Sequence, residues 1–190
     1  YRSLGEVFDA SVRKFAALPA YVNMGTTITY AELDELSRRF GSYLRNVLKL
    51  QQGARIALMM PNLLQYPVAM FGALRAGLVV VNTNPLYTAR ELEHQLKDSG
   101  AKAIVVFEQA AHVLEHCLRH TDVRHVLVTG IGDLVSFPRG NLINFVIRHV
   151  RRQVPAYALS GSVRFTDALE QGKWVDFAPV DITPSDLAFL

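Results

Sequence analysis

Three short apolar runs separated by two amphipathic stretches, all between Arg55 and Val106, constrain the fold of this chain more than any other feature. Ile56-Ala57-Leu58-Met59-Met60 is strand-like and stops at Pro61. The next stretch sets Leu64, Val68, Phe71 and Leu74 near helical spacing and ends at Gly77, where a left-handed residue is needed. Leu78-Val79-Val80-Val81 is unbroken and mostly β-branched, which suits a parallel strand covered on both faces. Thr88 and Glu91 then have capping-box spacing: the Thr88 hydroxyl accepts from a free helical N–H while the Glu91 carboxylate reaches back. That helix ends near Gly100, and Ala103-Ile104-Val105-Val106 is the third strand. Two successive strand–helix–strand units with short loops predict a parallel, right-handed α/β sheet.

The flanks extend the pattern. Ser3 to Glu6 has capping-box spacing before a helix whose inward face carries Leu4, Val7, Phe8, Val12 and Phe15, ending by Pro19. Residues 20–24 and 26–30 flank Gly25 as a small hairpin. Thr29 caps a helix from Tyr30 to about Leu48, with Glu32 completing the box and Leu33, Leu36, Phe40, Tyr43, Leu44 and Val47 inward. Beyond the third strand, Ala110 to Arg119 reads as a helix and His125–Val128 as a fourth strand. From 129 to 183 the pattern becomes an irregular excursion holding one amphipathic helix near 141–153, and the main sheet is expected to resume at Asp186–Leu190.

Composition narrows the function classes. The chain has 190 residues, half of them hydrophobic, which suits one domain with a substantial core. A net charge of +3 with scattered lysines and arginines argues against nucleic-acid binding. Cys117 is alone, so it forms no internal disulfide and reads as a small core residue in a reducing compartment. The apolar runs fall far short of the ~20 residues that span a bilayer.

Several constellations invite chemistry. Gly130-Ile131-Gly132-Asp133 follows a strand, but Val135 stands where a dinucleotide fingerprint needs its third glycine, so it reads as a plain turn. His112, His116 and His120 are spaced i, i+4 and i+8; the outer two stand about 12 Å apart on a helix, too far for one ion. We read them as helix-face histidines, with no metal site. No nucleophile, base and orienting acid are set out for covalent catalysis. Asn82-Thr83-Asn84-Pro85 ends a parallel strand, where open α/β sheets bind ligands, although a tight connection is the simpler reading. On a wheel of 141–152, Leu142, Ile143, Val146, Ile147 and Val150 share one face, Arg148, Arg151 and Arg152 the opposite one, with Phe145 at its edge. A surface helix packing its apolar face on the core is the first reading. Contact of Phe145, Arg148, Arg151 and Arg152 with an anionic membrane is the second.

The run MMPNLLQYPVAMFGALRAGLVVVNTNPLYTARELEHQLKDSGAKAIVV resembles the N-terminal domain of AMP-forming acyl-CoA synthetases, most of all the bacterial long-chain fatty acid–CoA ligases. Thr29-Tyr30-Ala31-Glu32-Leu33 resembles an early element of that family, and Thr183 to Leu190 the strand leading into its phosphate-binding loop. The resemblance implies an α/β fold: a mostly parallel sheet flanked by helices, with a small N-terminal β-hairpin, as one incomplete subdomain (1–190) of a large N-terminal domain. It implies a ligase that converts a fatty acid, ATP and coenzyme A, with Mg2+, into acyl-CoA, AMP and pyrophosphate through an acyl-adenylate. It places the catalytic and cofactor-binding motifs beyond Leu190, so none is carried onto these residues and this polypeptide alone is expected to be inactive. A cytoplasmic protein, peripheral on the inner face of the membrane and open to homodimerisation, is the matching expectation. The alternative is a self-contained, non-catalytic α/β module that binds a partner or a membrane surface.

Overall fold

In the computed structural model, which describes residues 1–177 and 180–190, the two strand–helix–strand units form the middle of a five-stranded sheet. Positions 178–179 of the 129–183 segment lie outside the described residues. In chain order the elements are α1 (Leu4–Phe15), β1 (Pro19–Asn23), β2 (Thr26–Thr29), α2 (Tyr30–Ser42), β3 (Arg55–Met59), α3 (Gln65–Arg75) and β4 (Val79–Thr83). Then follow α4 (Ala89–Ser99), β5 (Ala103–Phe107), α5 (Ala111–Cys117), β6 (His125–Thr129), α6 (Arg139–Phe145), β7 (Val163–Arg164) and α7 (Phe165–Lys173). β1 and β2 form an antiparallel hairpin; β3 to β7 pair in parallel, in the order β4-β3-β5-β6-β7. Leu58 lies opposite Asn82 on one side and Val105 on the other. Val80 also bridges Phe189, whose neighbours Ala188 and Leu190 exchange backbone hydrogen bonds with it at 2.9 and 3.0 Å.

Alternation along the strands divides the core into two layers. Ile56, Leu58, Val80, Val105 and Leu127 face α1, α2, α3 and α7; Ala57, Met59, Val81, Ile104 and Val106 face α4 and α5. Because both faces are covered, the strands are apolar without interruption, as the sequence predicts. Phe8 stacks on Phe71 with centroids 4.0 Å apart, fixing α1 to α3. Arg75 joins Asp9 of α1 and Asp34 of α2 to the same end of α3.

Local signals hold in most places. Thr29 and Thr88 both complete capping boxes, with Glu32 and Glu91, and Gly77 turns with φ 71°. At the first helix Ser3 accepts from the Glu6 N–H as expected, but the Glu6 carboxylate accepts from the Arg2 N–H rather than that of Ser3, so the box stays half made. The helix begun by Tyr30 closes in a wider turn over Tyr43–Val47, paired i→i+5. That widening swings Val47, expected inward, to the surface.

Candidate functional site

The strand order creates a switch point. From central β3 the chain moves outward to β4, then crosses to β5 on the other side, so the connections after β3 and β5 run in opposite directions. Doubly wound sheets bind ligands in the crevice at that end. Here the crevice is a groove of about 410 Å³ lined by Pro61, Pro85, Tyr87, Phe107, Gln109 and His112. Asn82 and Asn84, singled out in the sequence, do not line it but lead into its Pro85–Tyr87 wall. The Tyr66 hydroxyl donates to Asn82 Oδ1 at 2.7 Å and Gln95 Nε2 to the Asn82 carbonyl at 3.0 Å. Asn84 Oδ1 accepts from the Leu86 N–H at 3.0 Å, an Asx turn that aims the chain into the Thr88 cap. These hydrogen bonds are those of a tight connection. Burial is the main reason the Tyr66 phenol titrates above its ordinary value.

Next to the groove, the same edge of the sheet holds a charge network built from three strand ends. Glu108 follows β5, Asp133 lies just after β6, and Arg164 closes β7. The two carboxylate side chains are only 5% and 3% exposed. Arg164 bridges them, with Nη1 3.0 Å from Glu108 Oε1 and Nη2 3.0 Å from Asp133 Oδ1. Arg148 pairs with the same Glu108 oxygen, and the Tyr157 hydroxyl donates to it at 3.2 Å. Asp133 further accepts from the Gly130 N–H at 2.8 Å and from Asn144 Nδ2 at 2.9 Å. Two carboxylates thus meet two guanidinium groups, and the network is neutral. Burial draws the Arg164 guanidinium down, but Asp133 and then Glu108 outweigh it and hold it above its ordinary value. Burial and then the Glu108 charge push the Tyr157 phenol up.

The residues singled out in the sequence fall as follows. Asn144 and Arg148, one turn apart, point α6 and its wider terminal turn (Val146–Val150) at the sheet edge. Arg148 is therefore committed to Glu108 and leaves the arginine face to Arg151 and Arg152, which are exposed and form no ion pair among the described residues. Phe145 is exposed, its ring 5.0 Å from that of His149. The apolar face is covered only in part: Ile143, Val146 and Ile147 are half-buried, while Leu142 and Val150 lie in solvent. The energetics explain the compromise, since burying a leucine yields about 1.5–3 kcal/mol whereas stranding a buried carboxylate costs about 3–5 kcal/mol. The Gly130–Asp133 turn is closed by Asp133, and Gly132 lies so close to Gly140 that a Cβ there would come 2.3 Å from its carbonyl oxygen. His120 pairs with Glu93 at 3.2 Å, and His112 carries a buried Nδ1 with no partner. Among the described residues no three His, Cys, Asp or Glu side chains converge as metal ligands. Burial pushes the Cys117 thiol up to about 11. Glu108 and Arg164 were not singled out from the sequence, and Asp133 only as part of a plain turn; the signal they share is position, each at or just beyond the C-terminal end of a strand.

Comparison with known proteins fits this architecture. The family model for the AMP-binding enzyme matches residues 8–190. The chain is 52% identical over all 190 residues to the long-chain-fatty-acid–CoA ligase of Escherichia coli O157:H7, and equally to that of Haemophilus influenzae. It spans about a third of each, 34% of their length. A crystal structure of a long-chain-fatty-acid-CoA ligase from Archaeoglobus fulgidus superposes with a TM-score of 0.71 at 22% identity, covering 99% of this chain and 33% of that one. With a match running from α1 to the strand segment at Leu190, the chain belongs to the AMP-binding enzyme family.

Proposed function

We propose that these 190 residues are the scaffold portion of a long-chain fatty acid–CoA ligase. The observation that carries the proposal is the end-to-end 52% identity to such ligases, over about a third of their length. In the proposed reaction a fatty acid carboxylate attacks the α-phosphate of ATP, giving an acyl-adenylate and pyrophosphate, and the thiol of coenzyme A then displaces AMP.

The phosphate end of such a site is not assigned to these residues in the proposal. The groove at the switch point is walled mainly by apolar and uncharged side chains, and the two guanidinium groups beside it are neutralised by Glu108 and Asp133. In this proposal ATP, magnesium and coenzyme A are held mainly by other parts of the ligase, and this chain contributes the sheet against which they are set. A role in fatty acid metabolism and a peripheral position at the cytoplasmic membrane complete the proposal.

A chimera tests it. Substituting this chain for the matching third of the Escherichia coli relative should preserve palmitate-dependent ATP–pyrophosphate exchange and palmitoyl-CoA formation, whereas the 190-residue chain alone should show neither. A folded chimera without exchange, or exchange by the chain alone, refutes the assignment.

A further inference from the structure

The N-terminal end of the main sheet, opposite the switch point, carries a row of like charges. Arg55 opens β3, Lys102 immediately precedes β5 and Arg124 immediately precedes β6. The register that sets Ile56 beside Ala103, and Ala103 beside His125, brings these three residues abreast. The Lys102 N–H donates to the Arg55 carbonyl at 2.8 Å, and the Arg124 N–H to the Lys102 carbonyl at 2.9 Å. Residues abreast on parallel strands project from the same face, so the three cations share about 10 Å of sheet edge. Like charges opposite one another on neighbouring strands destabilise a sheet. Lys102 is relieved by Asp122 at 2.9 Å, whereas Arg55 and Arg124 have no ion pair among the described residues.

The row lines a cavity of about 510 Å³. Lys49, from the connection between α2 and β3, and His125 add to the same lining, and Leu48, Leu50 and Ala54 supply its apolar part. Lys49 sits there with φ 56°, a left-handed conformation that residues with a side chain rarely adopt. No aspartate or glutamate lines the cavity among the described residues. Apart from its four cations and Asp122, the chain holds sixteen lysines and arginines against sixteen carboxylates. The whole positive excess of the chain is therefore gathered at this edge. Burial first, and then the charge of Arg124, hold the His125 imidazole below its ordinary value.

A row that repels itself when empty is relieved by an anion whose charges are spaced along it. One phosphate group is too small to meet all three cations; two or three linked phosphates span them, and the guanidinium fork matches phosphate oxygens in pairs. The cavity has the size of a small-molecule site. We infer that it binds a small molecule bearing linked phosphate groups, with Arg55, Lys102 and Arg124 on the phosphates and Lys49 at their margin. That chemistry is common to free pyrophosphate and to the polyphosphate tail of a nucleotide. The inference goes beyond the ligase reading and does not rest on it.

Calorimetric titration of the chain with inorganic pyrophosphate at low salt tests it. One site per chain is expected, with orthophosphate binding about ten-fold more weakly. Arg55→Ala/Arg124→Ala lowers the affinity for pyrophosphate about ten-fold. The same pair leaves the melting temperature of the unliganded chain level or raises it, because a repulsion is removed. Arg13→Ala/Lys14→Ala takes the same charge from α1 and leaves binding unchanged. Pyrophosphate moves the His125 titration upward in proton NMR, in the parent and not in the Arg55/Arg124 variant. Adenosine triphosphate separates the two sources: tighter binding than pyrophosphate, lost in that variant, identifies a nucleotide, and equal or weaker binding identifies free pyrophosphate. Absence of saturable binding, binding indifferent to Arg55 and Arg124, equal affinity for orthophosphate, or a melting temperature lowered by their substitution overturns the inference. Any of these leaves the ligase assignment standing, and an inactive chimera leaves pyrophosphate binding standing.

Discussion

Arg164 offers the sharpest test of how the edge of the sheet is held. Its guanidinium bridges Glu108 and Asp133, so Arg164→Met leaves Glu108 with Arg148 alone and the nearly inaccessible Asp133 with no cation among the described residues. Removing one partner of a buried pair costs about 3–5 kcal/mol. The Arg164 side chain is 34% exposed, which allows some rehydration of the site and places the expected loss at the lower end, about 3 kcal/mol. For a domain of this size that corresponds to a fall in melting temperature of roughly 6–12 °C. Urea unfolding followed by far-ultraviolet circular dichroism gives the value directly. The decisive comparison repeats Arg164→Met in a Glu108→Gln/Asp133→Asn background. With no carboxylate left to strand, the same substitution should cost less than about 1 kcal/mol. Equal losses in the two backgrounds would refute the electrostatic account and assign Arg164 to packing alone.

Four further outcomes follow from local geometry. Thr88→Ala removes the hydroxyl cap of α4 and should cost about 1 kcal/mol in urea unfolding. The Thr88 N–H, and then its hydroxyl, hold the Glu91 carboxyl below its ordinary value. That contribution is present above the ordinary carboxylate range and lost as pH falls through the lowered one, so Glu91→Gln should be less stable than the parent at pH 7, with the difference shrinking as pH falls through the acid range. Gly132→Ala forces a methyl to within 2.3 Å of the Gly140 carbonyl oxygen and should cost roughly 1–3 kcal/mol, read as a lower melting temperature. The Cys117 thiol, buried and with its pKa pushed up to about 11, should resist iodoacetamide at pH 8 in the native chain and react only on unfolding; rapid native labelling would contradict that burial.

The layered fold was legible because it rests on local rules. The β-branched run before Asn82, the Thr29 and Thr88 capping boxes and the left-handed Gly77 each state their structure within a few residues. Strand order was not legible to the same degree, since nothing within β4 says that the next strand crosses β3 to its far side. The charge network escaped for the same reason. Glu108 and Arg148 are 40 residues apart and Glu108 and Arg164 are 56 apart, so their pairing exists only after the sheet is formed. The wheel drawn for 141–152 put Ile143, Val146 and Ile147 inward, and they are half-buried, but also Leu142 and Val150, which are exposed. It missed the tilt that Asn144 and Arg148 impose by pairing with Asp133 and Glu108.

β7 contains two residues, and its backbone pairing reaches only Leu127 and Val128. So short a ladder is a weak guide for a chain returning from more than thirty residues of detour, and Arg164 supplies what it lacks by pinning the point of arrival between two carboxylates. The landing point is thereby set by side chains rather than by the length of the detour. A protein engineer could lengthen the 149–156 stretch so long as Asp133, Asn144, Arg148 and Tyr157, which the detour itself supplies, stay in place. The sheet keeps its order as long as the incoming strand still delivers its guanidinium to the same socket.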